Sequence, residues 1–173
     1  MAIDTRKRYV ATMRTSCGTI TIALDAKHAP NTVNSIVFLA GRHYFDGSFF
    51  HRISRGFVIQ GGDPLGTGTG GPGYSTVDKP LPGAKYPVGT VAMAKTTSDP
   101  PGTAGSQFFI VTSASAQSAL APRGAGQYAI VGHVTSGMSV VQRIAALPIQ
   151  NNASDGAPAQ KIYIEKVSIS VKR

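Results

Sequence analysis

The 173-residue chain has one cysteine, no tryptophan and a single glutamate beside seven aspartates, and each scarcity removes a class of function. With Cys17 alone, no intramolecular disulfide and no thiolate cluster can form. His28, His43, His51 and His133 show no spacing that brings imidazoles together on one element, so no metal or other cofactor is expected. Carboxylates spread singly offer no acid–base pair of the kind glycosidases and aspartic proteases need. No apolar run approaches the ~20 residues of a spanning helix, and the basic start MAIDTRKR has no hydrophobic segment behind it, so no membrane segment and no signal peptide are expected. The expected location is the cytoplasm, with export or trimming from a longer protein as the alternative.

Positive charge is plentiful: 17 Lys and Arg against 8 Asp and Glu give a net charge of +9. Arg6, Lys7 and Arg8 are adjacent and Lys172 and Arg173 end the chain, but the other cations are scattered singly. That pattern suits solubility and a basic tail better than a phosphate-binding groove, so no nucleic-acid partner is expected. Residues 1–8 are read as a basic N-terminal extension and 9–171 as one domain. A chain of this length buries about 70% of its unfolded surface, enough for a core without staples. Apolar residues at 42%, with 20 Gly and 11 Pro, suit a turn-rich globular protein, expected to be a monomer.

RYVATMRT (8–15) and GTITIALD (18–25) alternate apolar with polar residues around the turn SCG, which predicts an antiparallel hairpin. SFFHRI, GFVIQGG, GTVAMA, SQFFIVT, QYAIVGHV and KIYIEKVSISV also read as strands, the last with one slip of phase between Ile164 and Val167. Val33, Ile36, Val37 and Ala40 mark a helix that starts at Pro30 and stops at Gly41, and MSVVQRIAAL (138–147) marks a second. Residues 65–87 and 151–159 read as surface loops. Eight short strands and two helices are best satisfied by an all-β fold, a closed eight-stranded antiparallel barrel capped by two α-helices.

GTGTGG (66–71) has the form G-x-G-x-x-G, but Pro72-Gly73 follows where a dinucleotide site needs a helix N-terminus, so a tight turn with positive φ is the better reading. Ser48, His51 and Asp63 could compose a triad, yet no nucleophile elbow supports one. What remains is FHRISRGFVIQGGD (50–63), in which cations interrupt an apolar strand pattern. Period two places Phe50 and Arg52 on one face of SFFHRI, and Gln107, Phe109 and Val111 on one face of SQFFIVT. Patterning alone leaves two readings open. Either Arg52 snorkels from a barrel edge and Phe109 is core, or Arg, Gln and Phe converge on a ligand.

FHRISRGFVIQGGD, followed in order by GTGTGG, GTVAMA and GSQFFI, resembles the cyclophilin family of peptidyl-prolyl cis-trans isomerases over roughly residues 9–171. The resemblance implies a barrel of eight strands and two helices, and an active site on the barrel's outer wall. It also implies rotation of Xaa-Pro bonds in proline-containing polypeptides, as in assisted folding. It places the catalytic arginine on Arg52, glutamines on Gln60 and Gln107, the proline-pocket aromatics on Phe57 and Phe109, and an apolar position on Val58. Ala94, Lys95 and Thr96 fall on the segment that holds substrate backbone, Tyr128 on a position usually His or Tyr, and Leu120 on the pocket wall. Gln60 is expected to orient Arg52, His51 to be structural and Arg55 to be solvated.

Two departures from the family pattern carry expectations of their own. Lys95-Thr96 stands where many members have Asn-Ala, which adds a cation beside the peptide groove. The stretch 113–127 has no clear match and the chain has no Trp, where many members place one against cyclosporin, so cyclosporin binding is expected to be weakened.

Overall fold

The computed structural model describes residues 3–121 and 126–172, so residues 122–125 of the unmatched stretch, the first two residues and Arg173 lie outside the described residues. The chain runs β1 (Arg8–Thr15), β2 (Gly18–Leu24), α1 (Pro30–Gly41), β3 (Phe49–Phe50), β4 (Arg52–Ser54), β5 (Val58–Gly61) and β6 (Thr76–Val77). It continues with β7 (Thr90–Met93), β8 (Thr103–Ala104), β9 (Phe108–Val111), α2 (Gln117–Leu120), β10 (Ile130–Ser136), α3 (Met138–Ala145), β11 (Asp155–Gly156) and β12 (Ile162–Lys172). Helix α1 has the bounds its Pro and Gly signals predict. The third helix, α2, is four residues long, too short to show a 3.6-residue repeat in the sequence.

Among the described residues ten strands form one antiparallel sheet in the order β11-β4-β5-β9-β7-β10-β2-β1-β12-β3, and β6 pairs with β8 apart from it. The segment 49–54 joins both ends of this order. Its first residues pair with β12 (Ile162↔Phe50) and its last with β5 (Arg52↔Gln60), so the sheet curls back on itself. Counting 49–54 as one segment, and leaving β11 as a two-residue addition beside β4, the ring has the eight strands expected. Between Arg14↔Lys166 and Thr15↔Ile164 the register shifts, which makes Glu165 the extra residue of a bulge and accounts for the phase slip in the last strand.

The partner switch at His51 corrects one expectation. Phe50 is fully buried in the barrel interior with Ile53, whereas Arg52 points to the outer wall, so Phe50 and Arg52 do not share a face. Strict alternation holds only along one uninterrupted ladder, and here the ladder changes partner. Elsewhere alternation sorts two cores. Ile59, Val91, Met93, Phe108 and Ile110 face the barrel interior, while Val58, Ala92, Phe109 and Val111 face outward into a second apolar cluster with Tyr86, Ala116 and Leu120. Buried on both sides, β9 reads as the continuous apolar run FFIV. The outer cluster is the floor of the site.

Candidate active site

A cavity of about 440 Å³ lies on the outer wall over β4, β5, β7 and β9, lined among others by Arg52, Phe57, Val58, Gln60, Ala94, Lys95, Phe109, Leu120 and Tyr128. Nine of the eleven residues singled out from the sequence therefore meet in one place. Gln107 and Thr96 line an adjoining hollow of about 340 Å³, which also touches Gln60, Ala94 and Lys95. The wall is apolar because Val58, Phe109 and Leu120 are almost wholly buried in the outer cluster. Phe109 and Tyr128 meet edge to face, ring centroids 5.2 Å apart. Buried Tyr86 fixes Tyr128 from behind, its hydroxyl donating to the Tyr128 carbonyl at 2.8 Å and accepting from the Tyr128 N–H at 3.1 Å.

The polar side of the cavity is one directed chain of hydrogen bonds. Arg52 Nη1 donates to Gln60 Oε1 at 3.1 Å, and Gln60 Nε2 donates to Gln107 Oε1 at 3.0 Å. Gln107 Nε2 donates to the carbonyls of Gly68 and Gly70, both at 2.9 Å. The same loop is held from the other side by Asp63, which is fully buried and accepts from the N–H groups of Leu65, Thr67, Gly68 and Gly70 at 2.6–3.1 Å. Thus the N–H groups of Thr67, Gly68 and Gly70 in GTGTGG are committed to a carboxylate of the chain's own. The motif wraps that carboxylate and offers its carbonyls to the glutamine that steadies Arg52's neighbour. A Cβ on Gly70 would sit 1.9 Å from Asp63 Oδ1, and one on Gly66, whose φ is +65°, would sit 2.0 Å from the Phe49 ring.

Burial by itself would raise the Asp63 pKa, but the backbone donors from Leu65, Gly70, Gly68 and Thr67 outweigh it and hold the carboxyl below its ordinary range. His51, beside Arg52 in the chain, is held below the ordinary imidazole range by burial, against the attraction of Asp63, and neither ring nitrogen has a hydrogen-bond partner among the described residues. It is a neutral filler of the wall. Arg55 is exposed and donates to the Leu147 carbonyl at 3.1 Å.

Lys95 is not a free cation: Nζ donates to the carbonyls of Thr96 and Asp99 at 3.1 and 3.0 Å and lies 5.5 Å from the Tyr128 ring centroid. The Thr96 N–H and hydroxyl both donate to Asp99 Oδ2, at 2.9 and 2.7 Å, which closes this turn on itself. Sequence reasoning missed Asp155. Its carboxylate takes Arg52 Nε–H at 2.7 Å and Nη2–H at 2.5 Å, and Gly156 and Ala157 beside it line the cavity. The only signal in the sequence was an acidic residue inside the Gly- and Pro-containing loop 151–159. Among the described residues no group of His, Cys, Asp and Glu could hold a metal ion, and no helix is long and apolar enough to cross a membrane.

The chemistry of such a site is the binding of a compact apolar ring on one side with a fixed cation on the other. Comparison with known proteins gives it a context. Residues 10–169 match the sequence model of the family described as cyclophilin type peptidyl-prolyl cis-trans isomerase/CLD. Peptidyl-prolyl cis-trans isomerase B of Streptomyces anulatus is 39% identical, over 96% of this chain and 99% of the relative. Peptidyl-prolyl cis-trans isomerase-like 1 of Neurospora crassa is 38% identical over 91% of each. Among solved structures, a cyclophilin type isomerase of Cryptosporidium parvum, crystallised in the presence of the dipeptide Ala-Pro, superposes with a TM-score of 0.80 at 30% identity. That match covers 93% of this chain and 98% of the other.

Proposed function

Because the chain belongs to the cyclophilin-type peptidyl-prolyl cis-trans isomerases and accelerates rotation about Xaa-Pro bonds, we propose that Arg52 is the group that lowers its barrier. Rotation is slow because it breaks amide resonance, at a cost of roughly 18–20 kcal/mol. Midway through the turn the prolyl nitrogen regains its lone pair and accepts a hydrogen bond, which the planar amide nitrogen does not. A guanidinium fixed beside it therefore binds the twisted state better than either planar state, and that difference is the catalysis. No bond to the substrate is broken. Lowering the barrier by about 6 kcal/mol gives roughly four orders of magnitude in rate.

The observation that carries this reading is the convergence of Arg52 with Gln60 and the apolar wall of Phe57, Val58, Phe109 and Leu120 around one cavity. The ring of proline is gripped by that wall, and Ala94, Lys95 and Thr96 with Tyr128 hold the chain on its other side. Gln60 and Gln107 act as positioning residues. A protease-coupled isomerisation assay on a short Xaa-Pro peptide tests the assignment, wild type against Arg52→Ala. Equal rates would remove Arg52 from the mechanism. They would leave a barrel that binds proline segments by its apolar wall alone.

Two outcomes depend on the rim of the cavity. Lys95 places a charge beside the peptide groove, so peptides with Glu next to the Xaa-Pro pair are expected to be turned over about two- to fivefold better than those with Lys, an effect the size of a half-exposed ion pair. Salt should erase the preference, and equal rates at low salt would count against it. The stretch 113–127 supplies Leu120 to the wall but no tryptophan. Cyclosporin is accordingly expected to inhibit only at micromolar concentration or above, and submicromolar inhibition would refute this. The working state proposed is a cytoplasmic monomer that does not bind nucleic acid. Light scattering, cell fractionation and the salt dependence of any oligonucleotide binding test those three points in turn.

A further inference from the structure

The side of Arg52 away from Gln60 is occupied by a residue that lies more than half the chain away in sequence. Asp155 opens β11, a two-residue strand paired to β4 by Asp155↔Ser54 and Gly156↔Ile53, and Arg55 N–H closes on the Ser154 carbonyl at 2.8 Å. The backbone of the 151–159 loop is thus bonded directly to the strand that carries Arg52. From there the carboxylate meets the guanidinium side-on, through Nε at 2.7 Å and Nη2 at 2.5 Å. A two-point contact of this kind fixes a plane, which a single hydrogen bond does not.

The donors can be counted. A guanidinium has five N–H groups. Asp155 takes the one on Nε and one on Nη2, and Gln60 takes one on Nη1. Among the described residues one N–H on each terminal nitrogen is left, on a side chain that lines the cavity. A long, flexible side chain is thereby held at two edges while its third edge stays open.

We propose that Asp155 is a positioning residue for the isomerisation, setting the plane of Arg52 against Gln60 so that the two uncommitted N–H groups are presented to the twisting prolyl bond. The inference rests on the reading of Arg52 given above. It runs against a simple electrostatic expectation, because an adjacent carboxylate also weakens the field of the guanidinium. Positioning and attenuation predict opposite signs for the same substitution, so the two are separable. Both side chains are partly exposed, 36% for Arg52 and 44% for Asp155, so the pair serves geometry more than stability.

The test measures kcat/KM by exchange NMR on an Xaa-Pro peptide, and peptide affinity separately, for Asp155→Ala and Asp155→Asn alone and for Asp155→Ala combined with Arg52→Ala. Asp155→Ala is expected to lower kcat/KM about tenfold with peptide affinity almost unchanged, the cost of a misplaced catalytic group. Asp155→Asn should recover part of the loss, since its amide oxygen still accepts from Nε. In the Arg52→Ala background the Asp155 substitution should have no further effect. The Nε–H resonance of Arg52 reports the contact itself, expected to move on Asp155→Ala and to return part of the way in Asp155→Asn. Activity above wild type would show attenuation and overturn the proposal, and so would an equal loss in both backgrounds. If Arg52→Ala alone kept the wild-type rate, the role of Arg52 would fall and that of Asp155 with it. A silent Asp155→Ala beside a crippled Arg52→Ala would remove Asp155 only.

Discussion

Replacing Arg52 by alanine is expected to lower kcat/KM for Xaa-Pro isomerisation by about two to three orders of magnitude, the worth of one preorganised donor aimed at charge that develops only in the transition state. Peptide affinity should change little, because the ring is held by Phe57, Val58, Phe109 and Leu120 and the lost interaction is absent from the planar states. Lysine should not rescue the rate. An ammonium keeps the charge but cannot span Asp155 and Gln60 with one planar group and still leave donors toward substrate. The melting temperature should stay within a few degrees, since the ion pair that is lost is about a third to a half exposed and worth ~1 kcal/mol or less. A large fall in affinity with kcat unchanged would mean that Arg52 binds peptide rather than the twisted state.

The second large effect belongs to a residue that never touches substrate. Asp63→Ala removes a buried acceptor shared by four backbone N–H groups whose hydrogen bonds are part-buried. Leaving such donors unpaired costs about 1–3 kcal/mol each before water or relaxation recovers part, so a net loss of about 3 kcal/mol is expected. For a chain of this size that is a fall in melting temperature of roughly 10 °C. Activity should fall as well, because the carbonyls of Gly68 and Gly70 that hold Gln107 belong to the loop Asp63 organises. The acid limb follows from the same contacts. A carboxyl held below its ordinary value in the folded chain contributes stability that is complete above about pH 4 and is lost as pH falls through the lowered folded-state value. Asp63→Asn should therefore flatten the fall of melting temperature with acid in that range. A variant that melted like wild type at both pH 7 and pH 3 would show that the loop folds without its carboxylate.

Much of this could be read from the residues because the physics behind it is local. Two-residue alternation marks the first hairpin and strand-like apolar runs mark the other six ring strands, the slip between Ile164 and Val167 marks a real bulge, and Pro30 with Gly41 brackets α1 as observed. The site residues came from the resemblance to the cyclophilin family, and nine of them share one cavity. What escaped is non-local. Period two puts Phe50 and Arg52 on one face, because nothing in SFFHRI announces that the strand changes partner at His51. Asp155 sits among Asn, Ser, Gly and Ala with no periodicity, and its meaning comes from β11 docking on β4. The glycine motif was legible as a turn, but its purpose, a shell around Asp63 that props Gln107, needed the fold.

The segment that carries Arg52 is also the seam at which the ring shuts, and that has a bearing on how the molecule comes into being. One flank of the seam needs β12, which in turn needs β1 from the other terminus, through pairs such as Arg8↔Lys172. Contacts so distant along the polypeptide carry a loop-closure penalty that slows folding. Competence to turn proline bonds therefore arises late and all at once. Until β12 docks, the sheet has two open edges and Arg52 sits on a seam that has not shut.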